Sequence, residues 1–227
     1  MDLLIFDIDG TLIHSHEDEV TCFVKAYTQV MGKSDINTDL QSYEHVTDTG
    51  IAKECIFKQF MREATEDELL AIEENFLTLF DQSLSINPPK VIKGIHDLLA
   101  SLSNQENLCL AIATGSYYRS ALLKLNHAAL GLAHLPLSSC DDHIARIEIM
   151  KHANNRAKDH YAIDNFRSIT YVGDGPWDIQ ACAKLDWNFI GIASNYSALQ
   201  LKTWGAKSVI NDYQQPLGSF LELILNK

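Results

Sequence analysis

Apolar positions change their period along this chain. Leu3–Phe6 is a short continuous apolar run closed by Asp7, the pattern of a strand buried on both faces. From about Glu17 to Leu84 only helical spacing is found. Val20, Phe23, Val24, Tyr27 and Met31 form one stripe that stops at Gly32, and Ile51, Cys55, Ile56 and Phe60 form a second. Thr65 and Glu68 make a T-x-x-E capping box ahead of Leu69, Ile72, Phe76, Phe80 and Leu84, which predicts a third helix. The Phe and Leu stripes are expected to be core. Ser85–Lys90, with Pro88 and Pro89, reads as a linker.

Beyond Lys90 the two periods alternate. The pattern predicts a helix near Gly94–Leu102, a strand Leu108–Ala113, a helix Tyr117–Ala129 and a long helix Ala145–Tyr161. A strand Ile169–Val172 and a helix from Pro176 to about Leu185 follow. Short strands Phe189–Ile192 and Ser208–Ile210 are each followed by helical sequence. Such alternation implies an α/β fold, a doubly wound parallel sheet with helices on both faces. The strand-free stretch is then an inserted all-helical subdomain. The expected division is a core of residues 1–15 and 88–227 and an insert of 16–87.

Composition narrows the class. The chain has 227 residues, enough for a sizeable core without disulfides, and 46% hydrophobic with 21% charged residues is ordinary for a globular protein. Eighteen Lys and Arg against thirty Asp and Glu give a net charge of −12, which speaks against a basic nucleic-acid-binding face. A phosphorylated small substrate stays possible, because a bound divalent cation supplies positive charge locally. The five cysteines are scattered and form no C-x-x-C pair, which suits a reducing cytosol. No leader is legible after Met1, and no apolar run approaches membrane-spanning length, so a cytoplasmic protein without a membrane partner is expected.

In sheets of this kind ligands bind beyond the carboxyl ends of the strands. Three strand ends carry reactive groups there: Asp7-Ile8-Asp9-Gly10-Thr11, Thr114-Gly115-Ser116, and Gly173-Asp174-Gly175-Pro176-Trp177-Asp178. Residues 3–12, LLIFDIDGTL, resemble motif I of the haloacid-dehalogenase-like hydrolases, hhhhD-x-D-G-T. Ala111–Ser116 is similar to their motif II and YVGDGPWD, 171–178, to their motif IV. The insert occupies the place of the family's C1 cap. The resemblance implies a Rossmann-like core and an Mg²⁺-dependent phosphohydrolase acting on a small phosphorylated metabolite.

The residues suit that chemistry. Asp7 can attack phosphorus and form an aspartyl-phosphate, and Asp9 can protonate the leaving oxygen and then deprotonate water. Asp174 and Asp178 bring further negative charge beside Asp7, a repulsion that a hard cation such as Mg²⁺ resolves. By resemblance, Asp7 and Asp174 ligate directly, Asp9 through its backbone carbonyl and Asp178 mostly through water. Thr114 and the N–H of Gly115 form an anion site ahead of a helix, or Thr114 merely caps that helix. For the motif III cation, Ala145–Met150 is similar to the A-K-x-E-I-L helix start of phosphoserine-phosphatase-like members, with Arg146 replacing Lys. Lys151 is the alternative and reads as a solvated helix residue.

Other polar residues have simpler readings. Thr47-Asp48-Thr49-Gly50 reads as an N-cap cluster that could also face substrate, His14 and His16 as surface residues, and Trp177 as rim or packing. The acid at Asp9 disfavours the dehalogenase-like and phosphonatase-like branches. A phosphomutase and a non-turnover Mg²⁺/phosphate-binding regulatory module remain as alternatives. Substrate identity and oligomeric state are not legible.

Overall fold

A computed structural model describes residues 1–14, 17–33 and 35–225. Six parallel strands form one sheet: β1 (Asp2–Phe6), β2 (Leu108–Ala113), β3 (Leu137–Ser138), β4 (Ile169–Gly173), β5 (Asn188–Ile192) and β6 (Ser208–Ile210). They lie in the order β3-β2-β1-β4-β5-β6. Strand β3 has no counterpart in the sequence expectations, because two residues are too few to show a period. All five residues of β1 are buried, as its central place requires.

Alternate residues of the strands feed two separate cores. Leu3, Ile5, Cys109, Ala111 and Tyr171 pack with Ile149, Met150, Ala153 and Ala157 of α6 (Arg146–Tyr161) and with Ala181 and Cys182 of α7 (Pro176–Leu185). Leu4, Phe6, Leu110, Ile112 and Val172 pack on the other face with α4 (Ile95–Leu102), α5 (Tyr118–His127) and α9 (Leu217–Leu225). Helices therefore cover both faces of the sheet. Helix α8 (Ala198–Thr203) forms a small third cluster through Leu201 against Ile179.

Between β1 and α4 the chain forms α1 (Glu17–Met31), a single 3₁₀ turn (Leu40–Ser42), α2 (Asp48–Phe60) and α3 (Glu66–Ile86). Phe23 and Phe76 meet edge to face at 5.9 Å, and Phe76 stacks on Phe80 at 5.2 Å. The capping box of α3 is complete: Thr65 accepts from the Glu68 N–H, and Glu68 accepts from the Thr65 N–H. The α1 stripe is not buried along its whole length. Val20 is 47% exposed, and the buried face of α1 is instead Cys22, Phe23, Ala26 and Tyr27. The segments leading into and out of this insert are laced together, His14 N–H to the Lys90 carbonyl at 2.8 Å and Ile92 N–H to the Leu12 carbonyl at 3.0 Å. The expected boundary at residues 15 and 16, like His16 itself, lies outside the described residues. No helix among the described residues is long and apolar enough to cross a membrane.

Strand register decides where the polar ends meet. Phe6 pairs with both Ile112 and Val172, so Asp7, Thr114 and Asp174 leave three adjacent strands at nearly the same level. The strand order turns at β1, where a doubly wound sheet opens its ligand crevice.

Candidate active site

Above those strand ends lies a cavity of about 430 Å³, a size suited to a small molecule. Its floor includes Asp7, Asp9, Thr114, Gly115, Ser116, Arg146 and Asp174, and its roof includes Glu19, Val20, Phe23, Asp48, Ile51 and Phe76 from the helical insert. Val20 is exposed because it faces this cavity rather than the core.

Asp7 continues β1, its N–H donating to the Val172 carbonyl at 2.9 Å. Gly10 follows at φ +70°, and a Cβ there would fall 2.2 Å from an Asp174 carboxylate oxygen. Only glycine permits both the turn and the close approach. Asp174 directly follows β4, and Asp178 caps the first turn of α7, accepting from the Gly175 N–H at 3.3 Å. One carboxylate oxygen from each of Asp7, Asp174 and Asp178 lies within 4.8 Å of the others. All three side chains are buried. Burial, with the Asp178 and Asp9 charges added and Arg146 opposing, pushes the Asp7 carboxyl up to about 7. Burial with the Asp7 and Asp178 charges pushes Asp174 upward, and burial pushes Asp178 upward against Arg146 and backbone hydrogen bonds. The Asn195 side-chain amide donates to Asp174 at 2.7 Å.

Arg146 begins α6 and is the cation of this cluster. Its Nη1 is 3.5 Å from Asp7 Oδ1 and its Nε 3.3 Å from Asp178 Oδ1. Neither atom completes a hydrogen bond, so two buried donors are unspent. Lys151 is exposed and bonds Glu148 at 2.8 Å, away from the cavity.

Thr114 is buried, and its hydroxyl accepts from the Ser116 N–H at 3.2 Å. It does not cap α5, whose N-cap position is Tyr117. Thr47 does cap α2, accepting from the Gly50 N–H at 3.2 Å, while Asp48 lines the cavity and accepts from the Tyr117 N–H at 2.9 Å. Trp177 lines the cavity too, edge to face with Tyr196 at 6.3 Å. His14 is exposed.

Asp9 does not join the three clustered acids. Its Oδ2 accepts from Lys124 Nζ at 2.5 Å and from Ser116 Oγ at 3.0 Å. Lys124, on α5, is fully buried and is also 2.5 Å from Glu19 of α1 and 2.8 Å from Ser116 Oγ. Burial alone would lower the lysine, but Asp9, Glu19 and Asp48 more than reverse that, holding it above its ordinary range and charged. Neither Lys124 nor Glu19 was expected from the sequence. The available signal was Lys124's position three residues after Ala121 and four after Ser120, on the buried face of α5.

The model of the family described as haloacid dehalogenase-like hydrolase matches residues 1–186. No curated protein matches the chain in sequence. Among solved structures, a hydrolase from Pseudomonas syringae superposes with a TM-score of 0.75 at 20% identity, over 98% of this chain and 99% of that one. A predicted phosphoglycolate phosphatase from Haemophilus somnus gives 0.64 at 19% identity, over 93% and 94%. CbbY from Rhodobacter sphaeroides, in complex with phosphate, gives 0.70 at 15% identity, over 93% and 94%. These likenesses concern the fold, whereas the family model spans both acidic strand ends and the basic residue between them. The chain belongs to the haloacid dehalogenase-like hydrolases.

Proposed function

We propose that this protein is an Mg²⁺-dependent phosphohydrolase that cleaves a small phosphate monoester through an aspartyl-phosphate on Asp7. The observation that carries the reading is the pairing of three crowded, buried carboxylates with an arginine whose Nε and Nη1 donors are unspent. The carboxylates ask for a hard cation, and the guanidinium presents a planar fork suited to phosphate oxygens.

The donor set fits the metal. Asp7, Asp174 and Asp178 offer oxygen donors whose carboxyls stay raised although Arg146 opposes the shift at Asp7 and Asp178. Mg²⁺ held there, with the Asp9 carbonyl as the resemblance implies, would neutralise charge on the phosphoryl oxygens. The remaining steps belong to the chain itself. An Asp7 oxygen bonds to phosphorus while the bond to the ester oxygen breaks, and Asp9 gives that oxygen its proton. Water then attacks phosphorus, passing a proton to Asp9, and the Asp7–phosphorus bond breaks to release inorganic phosphate. Thr114, Gly115 and Arg146 bind the phosphoryl oxygens, and the helical insert acts as a cap that excludes bulk water. Thr114 and Gly115 sit on the cavity floor and the insert supplies its roof, which supports both assignments.

Incubation with an aryl phosphate and Mg²⁺ tests this. Multiple turnovers that stop with EDTA and resume with added Mg²⁺ are expected. Stoichiometric labelling without turnover would favour a phosphate-accepting module, transfer to another hydroxyl a mutase, and turnover indifferent to EDTA would remove the metal from the scheme.

A further inference from the structure

We propose that Lys124, neutralised by Glu19 from the helical insert, is a positioning residue that holds the Asp9 carboxylate so that a single oxygen, Oδ1, is left to exchange protons. This role rests on the phosphohydrolase reading and adds a residue to it.

An ammonium has three hydrogen-bond donors. Lys124 directs them to Asp9 Oδ2 at 2.5 Å, Glu19 Oε1 at 2.5 Å and Ser116 Oγ at 2.8 Å, and its side chain is fully buried. Ser116 in turn donates to Asp9 Oδ2 at 3.0 Å. Asp9 Oδ2 is therefore pinned twice. Asp9 Oδ1 is buried and has no hydrogen-bond partner, although Asp9 lines the cavity. A carboxylate left to rotate would present either oxygen; this one is fixed. The fixing depends on the insert, because Lys124 lies on α5 of the core and Glu19 on α1 of the insert. With Glu19 withdrawn, the ammonium would lose one of its two closest counter-charges, and its grip on Asp9 would change. Glu19 thus couples the insert to the acid–base residue through Lys124.

The test compares Lys124→Met with the double variant Lys124→Met/Glu19→Gln. The single change leaves the half-buried Glu19 without its cation and is expected to lower Tm; the double change removes both charges and restores it. On an alkyl phosphate, whose poor leaving group needs a proton, both variants should lose about 100-fold in kcat with KM changed less than threefold. On an aryl phosphate the loss should be several-fold, with a pre-steady-state burst as aspartyl-phosphate accumulates. A double variant of restored Tm and wild-type kcat on the alkyl ester would overturn the positioning role and leave the hydrolase reading intact. Equal losses on both esters, with no burst, would also overturn it. Absence of turnover by the unaltered protein on either ester would instead remove the hydrolase reading, and this role with it.

Discussion

Asp7, Asp174 and Asp178 crowd around one guanidinium, and Asp9, Glu19 and Asp48 crowd around one ammonium, yet the two clusters hold their cation differently. Arg146 stands 3.3–3.5 Å from its carboxylates with two donors unspent. Lys124 sits 2.5 Å from two carboxylates with every donor used. Three buried acids beside one cation leave a charge deficit in the first cluster that a divalent ion would fill, and open donors that an anion would take. The second cluster is closed: its lysine serves its neighbours and has nothing left for a ligand. One half of the cavity is arranged to receive, the other to hold a side chain still.

Substitutions can break this contrast where it is sharpest. Asp7→Asn, at the centre of the open cluster, should cost at least about 10³-fold in kcat while the fold survives, because it removes the proposed nucleophile. Steady-state assay with circular dichroism checks this, and activity within tenfold of wild type would take Asp7 out of that role. Arg146→Ala should lower kcat/KM by about 10²-fold or more, as loss of a preorganised electrostatic donor does, while Lys151→Ala stays within about twofold. The reverse ranking would move the phosphate-gripping cation to Lys151.

The closed cluster gives the smallest effect, and on stability. Burial, against Lys124 and the Tyr117 N–H, pushes the Asp48 carboxyl up to about 6. Its value in the unfolded chain is about 3.9. Between about pH 4 and pH 6 the folded protein keeps a proton that the unfolded chain has lost, so this group lowers stability as pH rises through that window. Asp48→Asn should therefore shrink the fall in Tm between pH 4 and pH 7 by a few degrees. An unchanged slope would mean that Asp48 is charged throughout.

The open cluster was far more legible than the closed one. Asp7, Asp174 and Asp178 each follow an apolar strand or open a helix within a contiguous motif, and Arg146 stands at a recognisable helix start. Lys124 is 115 positions from Asp9, inside an apolar stretch of α5. Val20 has the spacing of a core residue and faces the cavity instead, since periodicity gives a helix face but not what lies opposite it.

The sequence by itself determined the alternation of strands and helices, the helical insert, and the acids at the ends of β1 and β4, because burial and capping are written in the spacing of near neighbours. Only the tertiary structure decided which carboxylate meets which cation. Ion pairing depends on distance in space, and the register of β1 against β2 and β4, together with the placing of Glu19 of α1 against Lys124 of α5, sets distances that no local pattern contains.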